Sequence, residues 1–218
     1  MRVEIELPHL WNPREYQLPA CRYMEAGGKR GVLVWHRRSG KDSFGVNFAA
    51  CAAHDRIGTY WHMLPTAKQA RKVIWDRIDR DTGKKAVDIV FPPELRRLKN
   101  ETEMKVGLKC GSIWQLCGSD NYDALVGGDP LGVVFSEYSL ANPAAWDYIR
   151  PILAENGGWA LFIYTSRGRN HGHRLLQVAR KTPGWFAEVL TVDDTRRPDP
   201  LRAAGATGSL LPVATRAD

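Results

Sequence analysis

The segment from Val32 to Asp42 constrains the fold of this chain more than any other. It reads VLVWHRRSGKD: an apolar strand runs into a Ser-Gly-Lys turn, and an Ala-rich helical stretch follows to about His54. In such a unit, successive backbone N–H groups form an anion-sized nest, the lysine reaches the outer phosphates, and the helix N-terminus adds a favourable dipole. The segment therefore predicts a phosphate-binding loop inside an α/β domain.

The loop departs from the usual pattern G-x-x-x-x-G-K-[ST] at two positions. Trp35 stands where the first glycine belongs, and Asp42 stands where the magnesium-binding hydroxyl belongs. A Ser-Gly-Lys tripeptide also occurs in ordinary surface turns, but its place between a strand and a helix favours nucleotide binding. We expect a nucleotide to contact the loop residues Arg37, Arg38, Ser39, Gly40, Lys41, Asp42 and Ser43.

Strand and helix patterns alternate along the rest of the chain. The predicted strands cover residues 31–36, 58–64, 131–135, 159–164 and 186–192, with a β-hairpin formed by 103–109 and 112–118. The predicted helices cover residues 41–54, 66–81 with Thr66 as N-cap, 93–99, 121–126, 142–155 and 171–181. This alternation predicts an α/β P-loop NTPase, with a mainly parallel sheet, helices on both faces and an added antiparallel hairpin.

We expect one domain over residues 1–194 and an irregular tail over 195–218. The chain of 218 residues is 44% hydrophobic and contains eight tryptophans, which suits one packed domain. The tail has three prolines and no sustained period, as in an unpacked segment or a truncated or frame-shifted reading frame.

The expected location is the cytoplasm. No stretch approaches the roughly 20 apolar residues of a membrane span, and no signal-peptide pattern precedes the polar N-terminus. The four cysteines lack paired spacing, which favours buried free thiols in a reducing compartment.

The net charge of +7 is unevenly distributed. Residues 66–109 carry twelve lysines and arginines against seven acidic residues, a net charge of +5, whereas residues 110–194 carry six against nine, a net charge of −3. A basic region of this kind is typical of a surface that binds nucleic acid, although lysine and arginine also cover ordinary solvent-facing helices. The candidates for DNA contact, or for an arginine that acts in trans at a subunit interface, are Arg71, Arg77, Arg96 and Arg97.

A carboxylate is expected at the C-terminal end of a neighbouring parallel strand, because ligands of open α/β sheets bind in the crevice at that edge. The segment LGVVFSE, residues 131–137, supplies Glu137 after a run of strand character. Glu137 is placed to orient or deprotonate the water that attacks a γ-phosphate. The alternative is an ordinary charged residue at an exposed strand end, and the phosphate loop favours the catalytic interpretation.

A third segment, IYTSRGRNH over residues 163–171, breaks from a strand into a polar loop that contains glycine. Thr165 and Asn170 can sense the γ-phosphate there and pass its presence to the next helix. A hydrogen-bonded turn without a functional role is the alternative.

Three segments in this order and spacing resemble the ATPase half of the large terminase subunit of tailed bacteriophages and prophages. They are HRRSGKD, GSDNYDALVGGDPLGVVFSEYSLANPAAWDYIRP and IYTSRGRNHG, and the resemblance spans roughly residues 8–193. It implies an ATPase of the additional-strand, catalytic-glutamate class that uses ATP and Mg²⁺ to pump double-stranded DNA into a procapsid. The implied partners are the portal protein and the small terminase subunit, with a homo-oligomeric ring on the portal and a monomer in isolation.

The resemblance also implies roles for single residues. Gln17 matches the glutamine that reads the adenine edge, and Arg37 matches the loop arginine that stabilises transition-state charge. Lys41 and Glu137 match the phosphate ligand and the catalytic carboxylate. The coupling motif, which links hydrolysis to movement, is matched by Thr165, Gly168 and Asn170.

Two positions depart from the family pattern, and the nuclease domain with its acidic cluster is absent, so we expect no DNA cleavage. Ser136 replaces the acidic strand-end residue, and Asp42 replaces the hydroxyl after the lysine. One hydroxyl and one carboxylate remain, exchanged in place. We therefore predict that Asp42 binds Mg²⁺, directly or through water, with Ser136 as its hydrogen-bond partner; a site with slow turnover is the alternative.

Two other functions stay open at this point. One is a truncated prophage remnant that binds nucleotide or a motor partner without efficient turnover. The other is a nucleic-acid helicase-like ATPase, which shares the glutamine, the phosphate loop and the acidic strand end. A helicase would need a second motor domain, for which 218 residues leave no room.

Overall fold

The computed structural model describes residues 11–196 of the chain. Within this range eight strands form one sheet: β1 (Arg30–Trp35), β2 (Thr59–Leu64), β3 (Arg96–Asn100), β4 (Lys105–Leu108), β5 (Ile113–Gly118), β6 (Pro130–Ser136), β7 (Trp159–Tyr164) and β8 (Trp185–Leu190). The α-helices of the same range are α1 (Leu18–Glu25), α2 (Lys41–Asp55), α3 (Ala67–Ala70), α4 (Ala86–Val90), α5 (Ala144–Glu155) and α6 (His171–Lys181).

The sheet has the strand order β3-β4-β5-β2-β6-β7-β1-β8. From β5 to β8 in that order all neighbours pair in parallel, whereas β3 and β4 pair with each other, and β4 with β5, in antiparallel register. The predicted α/β class, a mainly parallel sheet with an antiparallel hairpin, is therefore confirmed. Because parallel strands point the same way, the C-terminal ends of β1, β6 and β7 lie at one edge of the sheet.

Helices cover both faces of the sheet, and alternate strand residues supply the two hydrophobic cores. One core contains α1 and α2 together with Leu33 and Trp35 of β1. The other contains α5 and α6 together with Val32 and Val34 of the same strand. Burial on both faces explains why this strand is apolar at consecutive positions.

The helix predicted over residues 66–81 is wrong in its C-terminal part. Thr66 caps the helix as predicted and accepts a backbone hydrogen bond at 3.1 Å, but α3 passes into a π-helical turn, Arg71–Trp75, and the helix ends there. Asp79 then folds the chain into a turn, with its carboxylate accepting the backbone N–H of Thr82 at 3.0 Å. Such side-chain bonds give the backbone an alternative to the helix, and here they outweigh the helical periodicity.

The short helix predicted over residues 93–99 is also wrong. The helix α4 ends at Val90, before Pro92 and Pro93, and Arg96–Asn100 is instead the edge strand β3. Two consecutive prolines lack backbone N–H donors and end the helix there. The exposed basic residues of an edge strand have the composition of a helix surface, which is why the pattern suggested a helix.

Other differences are smaller. No pattern predicted the helix α1, and the helix predicted over residues 121–126 is a 3-10 helix, Ser119–Leu125. The described cysteines are free, as predicted, but Cys51 is exposed and Cys110 is half-buried, so the prediction of buried thiols is wrong for these two.

None of the helices in residues 11–196 combines the length and the apolar character needed to cross a bilayer. The predicted tail lies almost entirely outside the described residues, and the domain boundary at residue 194 stays a prediction.

Candidate nucleotide site

The loop between β1 and α2, residues 36–40, lies at the C-terminal edge of the sheet. Gly40 has a left-handed backbone with a φ of 76°, and a Cβ there would lie 3.3 Å from Gln17 Nε2, so both the conformation and the space favour glycine. Arg38 adopts the same region with a φ of 65°, which costs a side-chain-bearing residue on the order of 1 kcal/mol. The surrounding structure therefore holds this loop in a conformation that the isolated chain disfavours.

The loop leads into the N-terminus of α2, which has no side-chain cap. The N–H groups of the first helical turn are therefore available to a ligand. Ser39 is buried, and within the described residues its hydroxyl has no hydrogen-bond partner. An orphaned hydroxyl beside free N–H groups, at the positive end of a 15-residue helix, fits a bound anion.

Trp35, at the position of the missing first glycine, is a core residue that anchors the loop. It is fully buried, its Nε1–H donates to Glu188 Oε2 at 2.9 Å, and its ring lies 5.7 Å from that of Phe44 on α2. Burial raises the pKa of the Glu188 carboxyl, and the hydrogen bond from Trp35 opposes this shift. Sequence reasoning missed Glu188, for which the only signal was a single acid in an apolar strand.

Two side chains from the N-terminal part of the chain hold the loop backbone. Gln17 Nε2 donates to Ser39 O at 3.0 Å, and Tyr16 Oη donates to the same carbonyl at 2.8 Å. Gln17 is buried, and its Oε1 accepts the backbone N–H of Arg14 at 3.0 Å. The amide expected to read adenine is thus bonded to the loop, and its adenine contact stays a prediction. No motif pointed to Tyr16.

Lys41 and Glu137 meet directly at this edge of the sheet. Lys41 Nζ lies 3.1 Å from Glu137 Oε1 and 3.3 Å from Thr165 Oγ1. The lysine side chain is 7% exposed, whereas that of Glu137 is 28% exposed and faces a more open space. A buried ammonium needs anionic or polar partners, and an anionic ligand can take over that role from the carboxylate.

The strands that lead to Lys41 and Glu137 are not neighbours, which corrects the expectation of adjoining strands. In the sheet β7 lies between β1 and β6, and it places Thr165 in the gap. Two strand steps separate the strand ends by roughly 10 Å, a distance that the long lysine side chain helps to span. The sequence could not show this insertion, because strand order is set by packing between segments far apart in the chain.

Glu137 is fixed by an unusual backbone conformation and by the segment before α6. Its φ of 50° and ψ of 41° lie in the left-handed region, and a 3-10 turn follows it. Asn170 Nδ2 donates to Ser139 O at 3.1 Å, and His171 Nε2 donates to Tyr138 O at 2.5 Å. Both carbonyls lie within two residues of Glu137, so these bonds hold its turn. Sequence reasoning missed the part played by His171.

The three residues of the predicted coupling motif lie at different distances from the loop. Thr165 lies in the site, whereas Asn170 caps α6, with its Oδ1 accepting the backbone N–H of His173 at 3.2 Å. Gly168, with a φ of 70°, lies in the connection between them. Both ends of the Asn170 amide are engaged within the protein, and its contact nearest to Glu137 is the bond from its Nδ2 to Ser139 O.

Asp42 and Ser136, the two exchanged positions, are in contact. Ser136 Oγ donates to Asp42 Oδ1, and Ser136 is fully buried at the end of β6. The hydrogen bond expected between them is therefore present, while their role toward Mg²⁺ stays a prediction. Within residues 11–196 no group of three or more His, Cys, Asp or Glu side chains is placed to hold a metal ion by itself.

The four candidate arginines of the basic region fall into two pairs. Arg71 donates to two backbone carbonyls after β3 at 2.8 and 3.1 Å, and Arg96 on β3 forms an ion pair with Asp88 on α4, so both connect this part of the sheet to neighbouring helical segments. Arg77 and Arg97 are exposed, and within the described range neither side chain has a hydrogen bond or an ion pair. The second pair is therefore available to a partner.

The remaining loop side chains are placed as follows. Arg37 and Arg38 are exposed and have no hydrogen bond or ion pair with residues 11–196. Ser43, in the first turn of α2, accepts hydrogen bonds from Asn47 through its carbonyl and its hydroxyl. The loop thus presents two guanidinium groups, unpaired within the described part of the chain, near the buried ammonium of Lys41.

A second concave surface lies at the opposite edge of the sheet. This cavity of about 580 Å³ is lined by side chains that include Phe48, Tyr60 and Trp159, near the C-terminal end of α2. No residue of the loop 36–40 lines it.

Solved structures share this fold. No family model and no curated protein matches the chain. The large terminase ATPase domain of Thermus phage P74-26 matches with a TM-score of 0.65 and 20% identity, over 81% of this chain and 80% of that one. An arginine-to-alanine mutant of the same domain gives a TM-score of 0.67 at 20% identity, over 84% and 83%. The large terminase of a thermophilic bacteriophage, solved in complex with ADP, gives 0.66 at 14% identity, over 83% of this chain and 46% of that one.

The strand order and the loop define an α/β P-loop fold. At these identities the likeness concerns architecture, and in architecture this chain has the fold of a large terminase ATPase domain.

Proposed function

We propose that this chain is the ATP-hydrolysing motor domain that translocates viral double-stranded DNA into a procapsid. The observation that carries the proposal is the contact between Lys41 and Glu137 beside a strand–loop–helix unit with an uncapped helix N-terminus. The fold supports it, and one structure of that fold was solved with ADP.

In the proposed reaction the phosphate chain of ATP binds the N–H groups of residues 39–43, with Gln17 at the adenine. Lys41 Nζ exchanges the carboxylate of Glu137 for a phosphate oxygen, which frees Glu137 to orient a water molecule. The water oxygen bonds to the γ-phosphorus, its proton passes to Glu137, and the bond from phosphorus to the bridging oxygen breaks to give ADP and phosphate. Arg37, exposed and unpaired, stabilises the developing charge.

The residues present fit a magnesium ion that binds together with the nucleotide. Mg²⁺ prefers oxygen ligands and commonly uses only one or two carboxylates plus phosphates and waters. Asp42, supported by Ser136, would hold the ion. When bound, Mg²⁺ neutralises charge on the transferring phosphoryl group.

We propose that coupling runs through Thr165, Gly168 and Asn170. A change in the turn that carries Glu137 would move the carbonyl that Asn170 binds, and Asn170 is the residue on which α6 begins. The helix α6 would then transmit the state of the site to the rest of the motor.

Double-stranded DNA would contact the basic segment 66–109, with Arg77 and Arg97 as the side chains free to bind phosphates. Contacts of this kind make DNA binding strongly dependent on salt. Portal protein and the small terminase subunit are the proposed protein partners, with a homo-oligomeric ring on the portal, a monomer in isolation, and the host bacterial cytoplasm as location.

The test is ATP hydrolysis by the purified chain, measured with and without double-stranded DNA and portal protein. We expect Glu137→Gln to lower the hydrolysis rate about 10²-fold or more, because the general base is lost. Nucleotide affinity should change little. Glu155→Gln, an exposed acid at the end of α5, is the matched control and should hydrolyse ATP at the normal rate.

Two results would oppose the motor assignment. If Glu137→Gln hydrolyses ATP as fast as the unmodified chain, Glu137 is not the catalytic carboxylate. If the unmodified chain binds nucleotide but shows no hydrolysis even with DNA and portal protein, a non-catalytic nucleotide-binding module is favoured instead.

A further inference from the structure

The Asp42 carboxylate is engaged on one side only. Its Oδ1 accepts the hydroxyl hydrogen of Ser136, and within residues 11–196 no other side-chain hydrogen bond or ion pair is made by this carboxylate. Asp42 is also half-buried, so one oxygen remains accessible at the loop. The fully buried Ser136 cannot turn to solvent, and its hydrogen bond fixes which oxygen of Asp42 faces away from β6.

A negative charge at this position changes how an anionic ligand binds. The first helical turn of α2, its dipole and Lys41 all attract phosphates, whereas the carboxylate of Asp42 in the same turn repels them. A hydroxyl at this position would be neutral toward the same phosphates. A divalent cation between the carboxylate and the phosphates turns the repulsion into attraction.

We infer that Asp42 couples nucleotide binding to Mg²⁺: the carboxylate, oriented by Ser136, holds the ion directly or through water and opposes nucleotide binding when the ion is missing. This inference rests on the proposed function, because it takes the loop to be a nucleotide site. It adds that the exchange of carboxylate and hydroxyl makes this chain more dependent on Mg²⁺ than a loop with a hydroxyl after the lysine.

The exchange keeps the set of ligands that a magnesium–nucleotide site uses. Asp42 supplies a carboxylate at the start of α2, where the usual pattern has a hydroxyl, and Ser136 supplies a hydroxyl at the end of β6, where the usual pattern has a carboxylate. The two side chains are in direct contact. If Asp42 had no role in the site, nothing would require the buried residue at position 136 to be a serine that donates a hydrogen bond to it. The contact therefore favours a working pair over two independent losses.

The test is the affinity for ADP, measured by titration calorimetry in excess Mg²⁺ and again in excess EDTA. For the unmodified chain we expect the dissociation constant to rise roughly tenfold or more when Mg²⁺ is removed. Asp42→Asn should bind ADP more weakly than the unmodified chain in Mg²⁺ but several-fold more tightly in EDTA, because the repulsion is gone. The stronger binder of ADP would thus be the unmodified chain in Mg²⁺ and the variant in EDTA. This reversal is expected only if the charge of Asp42 binds the cation.

The matched control is Asp55→Asn, which removes the same charge from the other end of α2. It should leave both dissociation constants unchanged. The double exchange Asp42→Ser with Ser136→Asp places a hydroxyl after the lysine, so the ratio of its dissociation constants in EDTA and in Mg²⁺ should be smaller than that of the unmodified chain. If Ser136→Asp prevents folding, as thermal melting would show, Asp42→Asn alone decides.

The inference is overturned if Asp42→Asn shows the same ratio of dissociation constants in Mg²⁺ and EDTA as the unmodified chain. That outcome leaves the proposed function standing, provided that both proteins bind ADP. If the unmodified chain binds ADP in neither condition, the proposed function itself fails, so the two failures are distinguishable.

Discussion

His62, in the middle of β2, is buried with its ring edge-on to that of Trp114, at 6.3 Å between centroids. It has no solvent exposure, and within the described residues neither Nδ1 nor Nε2 has a hydrogen bond. Burial lowers the pKa of His62 to about 3, so the ring is neutral in the folded protein. In the unfolded chain the same ring titrates near its ordinary value of about 6.5.

This difference predicts an acid-sensitive fold. Below pH 6.5 the unfolded chain binds a proton that the folded protein does not, so the free energy of unfolding should fall by up to about 1.4 kcal/mol per pH unit. His62→Leu should remove this component between pH 5 and 6.5, whereas the Glu188 carboxyl, whose pKa is raised by burial, is present in both proteins. Urea unfolding at several pH values measures this dependence of the free energy of unfolding, with His54→Leu as control. The prediction is contradicted if the slope of this free energy against pH is the same in His62→Leu as in the unmodified chain.

At the residue scale, the sequence predicted the main contacts of the site but not its supports. Lys41 and Glu137 could be paired because both follow strands that end at the same edge of the sheet. The hydrogen bond of Asp42 with Ser136 was predicted because a carboxylate stands where the usual pattern has a hydroxyl, and a hydroxyl stands where it has a carboxylate. Tyr16 and Glu188 could not be found in this way, because each supports the loop from a distant segment without belonging to a motif.

At the scale of elements, the N-cap residue of α6 also binds the turn that follows Glu137. Asn170 caps α6 through its Oδ1 and holds Ser139 O through its Nδ2. Asn170→Ala removes both bonds and should lower the free energy of unfolding by about 2 kcal/mol. Asn170→Ser keeps a capping oxygen and should cost much less.

Both variants should lower the hydrolysis rate with little effect on ADP affinity, because the turn of Glu137 loses an anchor. Thr66→Ala, which removes a helix cap away from Glu137, is the control and should affect stability without slowing hydrolysis. Chemical unfolding and steady-state ATPase assays measure the two effects. If Asn170→Ser hydrolyses ATP at the wild-type rate, the bond from Asn170 to Ser139 O is not needed for catalysis and the prediction is wrong.

Elements with strong local signals were predicted well, and those fixed by distant pairing were not. The strands β1 and β7 and the helices α2 and α6 have apolar patterns and clear ends, and the structure has them within a few residues of prediction. The edge strand β3 exists because β4 offers a partner, which no local pattern records.

At the scale of the whole molecule, the sheet places everything that the proposed reaction needs at one edge. The insertion of β7 between β1 and β6 sets Thr165 beside the contact of Lys41 with Glu137. The cavity of about 580 Å³ lies at the other edge and shares no residue with the loop. The proposed reaction therefore requires the nucleotide to bind at the first edge only.

The most direct measurement is a crystal or cryo-EM structure of the chain with Mg²⁺ and a non-hydrolysable ATP analogue. We expect the phosphate chain to lie against the backbone of residues 39–43. Lys41 Nζ should bind a phosphate oxygen in place of its 3.1 Å contact with Glu137, and the freed Glu137 carboxylate should face the γ-phosphate. A nucleotide bound in the cavity at the opposite edge, or bound at the loop with Glu137 turned away from its γ-phosphate, would contradict the proposed reaction.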